Sequence, residues 1–600
     1  MSTIYCNPIS CEYKYQFNRN PMEPDRISVN REAADPSVIF FKGVYYLFAS
    51  MTLSVWSSVD LVHWESHRLP KNLPLYGYAP DVRVIGDYVW FSASNEKKDC
   101  SFYRTKDVLN GPYEEIPGTM RYTDPNLFAD LDGRIYFYWG CSNVTPIRGV
   151  ELDQKNMEPI SEVRDLICGD AFTKGYERIG TDNSIYPATE AEVEAQFTGF
   201  LQSKGMKEED MDPGIAQMIR GFISRTPYIE GAWMNRFGDT YYLQYAFSGT
   251  EHNVYGDGVY ESDSPLGPFK PARNNPYSFS PGGFMPGAGH GSTFEDSFGN
   301  LWHAGTMRIS VNHNFERRVG IWPAGLDEDG ELFCNQRFGD WPIALVNGKR
   351  DVWAKPQWYL LSHRKPVTAS SFAAGHEPSL AAEEDVRTWW KAGTGEFGQW
   401  LLMDLEQEYA VKAVQINFAD DHPALPVPEQ MADTSRERYI EEEKLFTRWK
   451  LEASADGISF DVLEDKSAAE TDLAHDLVIL NGDQKYRYVK LTVFEVPYDQ
   501  PPCISGLRVF GVGEGALPKE TEYKIERTSD LDFDVVIDAD DAVGHLILWG
   551  HQPDKLYHSC MVYGERQHIG ALMKGETYYV RVDSFNESGI TEGEVIRLKG

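Results

Sequence analysis

The 600-residue sequence predicts an all-β protein: a five-bladed β-propeller with a helical insertion, followed by two β-sandwich modules. Three observations predict it. One layout recurs five times in the first half of the chain, alternating aromatic strands run through both halves, and one interval between repeats switches to a helical period.

The five repeats are "DPSVIFFKGVYYLFAS" from Asp35, "DVRVIGDYVWFSAS" from Asp81, "DPNLFADLDGRIYFYWG" from Asp124, "EGAWMNRFGDTYYLQYA" from Glu230 and "HGSTFEDSFGNLWHAGT" from His290. Each joins an ionisable residue, a short apolar run, a glycine-containing turn and an alternating strand, so each reads as a β-hairpin. Outer-strand sequences follow the first ("SSVDLVHWE"), second ("TKDVLNGPYEE") and fourth ("SDSPLGPFK"), extending the hairpins to blades of about four strands. The starts lie 46, 43, 106 and 60 residues apart. A blade takes roughly 40–50 residues, so the last two intervals need insertions.

The longest interval explains itself. Thr189 and Glu192 form a capping-box pattern ahead of Val193, Phe197, Phe200 and Leu201 on one helical face. Asp212 and Pro213 then open a second helix with Ile215, Met218, Ile219 and Phe222 on one stripe. An α-hairpin within about 162–226 is expected, either walling the central cleft or decorating the rim.

Composition narrows the partners. A formal charge of -34 argues against nucleic acid and anionic membrane surfaces, which need clustered Lys and Arg. Aromatic residues at 13% suit strands and sugar-stacking surfaces. No stretch reaches the roughly 20 apolar residues of a membrane span, and the N-terminus has no signal-like apolar core. A cytoplasmic protein is expected, or a secreted one whose signal has been removed. The eight cysteines form no CxxC pair and read as ordinary thiols, with Cys6 and Cys11 the one pair spaced to bridge in an oxidising compartment.

The first strand of each blade lines a propeller's channel, so Asp35, Asp81, Asp124, Glu230 and His290 are expected to converge near one axis. Crowded, desolvated carboxylates push their pKa values apart, leaving one protonated and another ionised. Glycoside hydrolysis needs that division.

These segments resemble glycoside hydrolase family 43, inverting exo- and endo-acting enzymes on a five-bladed propeller. "NRNPMEPDRISVNREAADPSV" resembles the opening around the family's general base, "YTDPNLFADLDGRIYFYWG" its second acidic motif, "YIEGAWM" its general-acid motif and "GHGSTF" its late histidine motif. The likeness covers about residues 15 to 340. It implies Asp35 as general base, Asp124 as the residue that orients and tunes the acid, and Glu230 as general acid. His290 would help hold a hydrated calcium or sodium ion, although no other cofactor is required. In "FERRVGIWPAGLDEDG", Arg317, with Arg318 the alternative, would reach sugar hydroxyls. Asp81 and Trp233 complete the candidate substrate-binding set, Trp233 as a stacking wall or a core residue. The acid motif reads Glu-Gly-Ala where Glu-Gly-Pro is commoner. Retaining five-bladed fructosidases are the nearest rival, but their "WMNDPNG"-type motif is absent.

The propeller is expected over 1–345. Residues 346–513 resemble a discoidin-type (coagulation factor 5/8 type C-like) jelly-roll, through "RKPVTASSFAAGHEPSLAAEEDVRTWWKAG", "GQWLLMDLEQEYAVKAVQINFAD" and "RYVKLTVFEVP". Trp389 and Trp390 read as core and rim rather than a sugar platform. The acidic stretch 432–445 reads as a solvated helix or a contact with the propeller. After the linker "GEGALPKE", residues 514–600 resemble a fibronectin type III-like sandwich, with Tyr579, Val580 and Val582 in a late strand. The expected activity is inverting, exo-acting release of terminal β-D-xylosyl or α-L-arabinofuranosyl residues from oligosaccharides of plant polysaccharides such as xylan. The alternatives are a galactosidase of the same fold and a non-catalytic sugar-binding propeller.

Overall fold

In the computed structural model, which describes residues 3–20, 23–95 and 97–599, the five repeats form five four-stranded antiparallel sheets. Blade I runs from Ala34–Phe41 to Glu65–Arg68 and blade II from Asp81–Ile85 to Glu114–Ile116. Blade III runs from Asn126–Ala129 to Arg164–Ile167, blade IV from Ile229–Phe237 to Lys270–Pro271, and blade V from Gly289–Glu295 to Leu332–Cys334. Each blade is a consecutive piece of chain. Their first strands touch in the cyclic order I to V and back to I, which closes the ring. The hairpin turns are those the sequence predicts; at Lys42-Gly43 both residues have positive φ (49° and 85°), matching the strands' right-handed twist.

Apolar side chains of neighbouring blades interlock, as in Val82, Val89 and Phe91 of blade II against Phe48 and Val55 of blade I. Ring closure also uses the N-terminal segment. Thr3–Tyr5 pairs with Ile343–Leu345, and the Asn7 amide donates to the carbonyls of Ile321 (2.9 Å) and Gly339 (2.7 Å). All eight cysteines are free, so Cys6 and Cys11 are two buried thiols and not a bridge.

The insertion forms as expected: α1 (Glu190–Lys204) has the Thr189/Glu192 capping box, and α2 (Pro213–Ser224) is capped by Asp212. The α1 face is buried through Val193, Phe197 and Leu201. The α2 stripe is not. Ala216 and Gly221 face inward, whereas Ile215, Met218 and Phe222 are exposed, because the Gly221 carbonyl approaches closely enough to accept a 3.1 Å bond from the Asn143 side chain.

A nine-stranded sheet assembly follows, with a dry core around Trp390, Leu401, Trp449 and Leu491. Trp389 and Trp390 are both buried, the former stacked on His376. The acidic stretch is neither helix nor loop throughout: Arg438–Ile440 is a strand that pairs with Lys14–Asn20, itself paired with Glu23–Glu32. The last module is a sandwich of a three-stranded and a five-stranded sheet. Its core is continuous with the propeller's. Phe533, Trp549 and Val580 pack in one cluster with Phe247 of blade IV, with Phe279 of the segment that follows that blade, and with Tyr176 at the base of the insertion. Arg178 of the insertion makes a buried ion pair with Asp532 of this module.

Candidate active site

Three blades carry the same irregularity at the start of their first strands. The ladder slips between Ala34 and Ser37 in blade I, between Glu230 and Trp233 in blade IV, and between Gly289 and Ser292 in blade V. These are β-bulges, which re-aim a side chain where pairing stops. The bulged residues have positive φ: Asp35 (52°), Gly231 (62°) and His290 (46°), and Asp124 (49°) takes the same conformation just before blade III. Hydroxyls brace these turns. The Asp35 N–H donates to Thr306 Oγ1 (2.9 Å) and the Asp124 N–H to Ser94 Oγ (2.8 Å).

The turns bring four of the five expected residues together. His290 Nδ1 lies 3.4 Å from Asp35 Oδ1, 3.9 Å from Asp124 Oδ2 and 4.0 Å from Glu230 Oε1. Asp257 fixes the histidine's backbone, accepting from the N–H groups of His290 (2.7 Å) and Gly291 (2.9 Å). A side chain at Gly231 would meet the His290 ring at 2.8 Å, so the approach requires glycine there.

The carboxyls are not alike. Burial raises the Asp35 carboxyl, but Arg317, His290 and the Ser50 hydroxyl (2.6 Å) outweigh it and hold the group below its ordinary value. Asp124 is pushed up to about 7, chiefly by burial, with Glu230 and Asp35 adding repulsion against the pull of His290. Glu230 accepts from the Tyr255 hydroxyl at Oε1 (2.6 Å) and from the Cys141 thiol at Oε2 (3.1 Å). The surrounding carboxylates raise His290 against the effect of its burial, which favours imidazolium.

Arg317 sits at this site and Arg318 does not. Arg317 pairs with Asp35 (3.2 Å) and Glu32 (2.5 Å), while Arg318 turns to His475 of the nine-stranded module (2.9 Å). Asp81 stays apart: its oxygens accept from Asn126 Nδ2 (2.9 Å) and the Leu127 N–H (2.7 Å), tying blade II to blade III. The blade II residue in the turn conformation is Ala79, so the repeat there begins two positions earlier than its acidic residue suggests. Trp233 is buried with Arg83 over its ring (3.4 Å) and is a wall of the channel rather than a free stacking face.

Tyr255, Cys141, Asp257 and Glu32 were not among the expected residues. Glu32 alone had a local signal, standing three positions before Asp35. Among the described residues, the ligand-type atoms of Asp124, Cys141 and Glu230 lie within 4.8 Å of one another, and His290 is not part of that group.

Comparison with known proteins finds one family and several solved structures. Glycosyl hydrolases family 43 matches residues 26–181 and 201–332, leaving out most of α1. No curated protein matches the chain. Of the solved structures, one described as a glycoside hydrolase is 17% identical and covers 82% of this chain and 99% of its own (TM-score 0.43). The Bacteroides ovatus protein described as Xyloglucan PUL GH43B is 16% identical over 98% of both chains (TM-score 0.39). A mutant of the GH43 protein BlXynB from Bacillus licheniformis is 13% identical over 85% of this chain and 98% of its own (TM-score 0.40). Matched over residues 26–181 and 201–332, the propeller of this chain is that of glycosyl hydrolases family 43.

Proposed function

We propose that this glycoside hydrolase inverts the anomeric centre, with Asp35 as general base and Glu230 as general acid. One observation carries the reading: an Asp35 carboxyl held ionised and a Glu230 carboxyl meet the same His290 nitrogen, at 3.4 and 4.0 Å. The two contacts cap the separation of those oxygens at 7.4 Å, their sum, which admits the lower end of the roughly 6.5–9.5 Å range of inverting pairs; inversion itself is what membership of the family supports.

In the proposed step, Asp35 takes a proton from water as its oxygen forms a bond to the anomeric carbon. The bond to the leaving oxygen breaks on the opposite face, and that oxygen takes its proton from Glu230. Asp124, pushed up to about 7, holds a proton near neutral pH beside Glu230. Glu230 is the more exposed of the two (18% against 9%) and thus the group a leaving sugar reaches. Asp124 bonds the Gly231 N–H (3.3 Å) and thereby positions the neighbouring acid. Arg317 keeps Asp35 ionised and aligned.

Calcium takes six to eight oxygens. His290 Nδ1 faces three carboxylates that favour its protonation, and this reading uses the imidazolium as the cation that holds them together; a hydrated calcium or sodium ion is the alternative cation for the channel. Family membership supports a terminal β-D-xylosyl or α-L-arabinofuranosyl residue as substrate, released from xylan-type oligosaccharides.

Screening nitrophenyl β-xyloside, α-L-arabinofuranoside and β-galactoside tests the substrate. Glu230→Gln and Asp35→Asn should each lower hydrolysis by roughly 10²–10⁴-fold with an unchanged circular-dichroism spectrum. Dinitrophenyl glycosides, whose leaving group needs no proton, should recover much of the loss in Glu230→Gln only. Near-wild-type rates in either variant would refute the assignment; no cleavage of any glycoside by the wild type would favour a sugar-binding propeller.

A further inference from the structure

The strand Arg438–Ile440 belongs in sequence to the nine-stranded module, yet it completes a sheet beside the catalytic base. Its register on the N-terminal hairpin pairs Asn18 with Arg438 and Gln16 with Ile440, while Lys14 pairs with Glu32 and Gln16 with Asn30. Residues directly opposite share a face, so Arg438, Asn18, Gln16, Asn30 and Glu32 stand together on one side of this three-stranded sheet. The other side carries Tyr15, Phe17, Val29 and Tyr439 packed on Met431, with Arg31 opposite Tyr15 in ion pairs to Asp420 and Asp472. The polar side faces the propeller: Gln16 Nε2 donates to the Met51 carbonyl (2.7 Å), and Ile440 packs with Met51, Leu53 and Tyr78.

Here two arginines face one buried carboxylate, Arg317 through a direct ion pair and Arg438 through its charge alone. Arg317 bonds Glu32 through Nη2 (2.5 Å) and Asp35 through Nη1 (3.2 Å). The Arg438 guanidinium lies over the Tyr78 ring at 5.1 Å, and that of Arg317 lies 5.9 Å from the same ring. Tyr78 Oη, Glu32 Oε2 and Arg438 Nη1 are buried with no bonded protein partner. Burial raises Glu32, and Arg317 and Arg438 both act against that rise. His313, the remaining titratable group between them, is pushed down to about 4 by burial and by the two arginines, so it adds no charge near neutral pH. On the channel side, Asp35 also faces His290, Asp124, Glu230 and Tyr255, none of which touches Arg438.

We propose that Arg438, supplied by the nine-stranded module, is a positioning residue for the reaction: by balancing part of the Glu32 charge it leaves Arg317 on Asp35. The inference rests on Asp35 being the general base. Without Arg438, the charge of Glu32 is met by Arg317 alone, which is drawn away from Asp35. The Asp35 carboxylate is then less favoured, its pKa rises, and the acid limb of the pH profile moves to higher pH.

The test is the pH dependence of kcat/KM on the best aryl glycoside, measured on the full chain. Arg438→Met should lower kcat about 10-fold or more and move the acid limb up by about one pH unit; Arg438→Lys should restore part of both. Glu32→Gln placed on Arg438→Met should bring the limb back, because Arg317 then has Asp35 alone. A brace that merely held the module in place would not be repaired by neutralising Glu32. An unmoved limb in Arg438→Met, or no recovery in the double variant, overturns the proposal. Should Arg438→Met fail to fold, Glu32→Gln alone serves: the limb should move to lower pH, and an unmoved limb counts against the proposal. Activity retained in Asp35→Asn would instead remove the premise, so the two failures are distinguishable.

Discussion

Asp124 shows how one residue can carry a cost that its surroundings impose. Its carboxyl is buried beside two others and titrates near 7, against an ordinary 3.8. The folded state therefore keeps a proton that the unfolded chain loses above about pH 4. Stability falls as pH rises through that window and levels off above about 7. Asp124→Asn, which cannot ionise, should have a higher Tm than the wild type at about pH 8, with the difference vanishing near pH 4. Its hydrolysis should fall by roughly 10²-fold. Thermal melts at the two pH values check the first expectation, and an equal difference at both would contradict it.

At this scale the sequence was informative in part. Asp35, Asp124, Glu230 and His290 were legible because each opens a repeat. Asp81 opens one too in appearance, but the chain turns at Ala79-Pro80, as it does at Asp35-Pro36 and Asp124-Pro125. In blades I to III a proline after the turning residue marks the register, while Gly231-Ala232 and His290-Gly291 lack it. Tyr255 and Cys141 reach Glu230 from blade IV and from the loop after Trp139, and nothing local marks them.

The bulges are the elements that make the site. Each places one residue in the left-handed region, where most side chains are strained. In blade IV that residue is Gly231, so the acid comes from the position before it. In blades I and V the turning residues themselves, Asp35 and His290, face the channel. Gly231→Ala should cost roughly 1–3 kcal/mol for its backbone conformation. It should also displace His290, whose ring the new Cβ would meet at 2.8 Å. A denaturant melt with kinetics tests both, the expected result being lost stability together with lost kcat. The helices were legible from their caps and less so from their faces. A stripe of Ile215, Met218 and Phe222 predicts burial, but α2 packs through its small residues, and Phe222 is 66% exposed.

For the whole molecule, the propeller and the β-sheets that follow it are not independent of one another. The last module's core runs into blade IV, and Arg178 of the insertion is wholly buried against Asp532. Long-range packing of this kind leaves no periodic trace, which is why the sequence read the modules as appendages. Removing the cation alone leaves an unpaired buried carboxylate, so Arg178→Met should destabilise by roughly 3–5 kcal/mol. Calorimetry should show the propeller and last module melting in one transition; separate transitions would mean that the shared core does not couple them.

The pairing of Lys14–Asn20 with Arg438–Ile440 has a consequence for how the protein is made. Synthesis runs from the N-terminus, so this hairpin leaves the ribosome well before its partner strand, which follows more than four hundred residues behind it. The blades can close while the wall beside Asp35 is still open. A chain released early, or cut before residue 438, keeps every carboxylate of the site yet lacks the strand that squares their charges. On the role proposed for Arg438, synthesis past residue 440 becomes a condition for full activity.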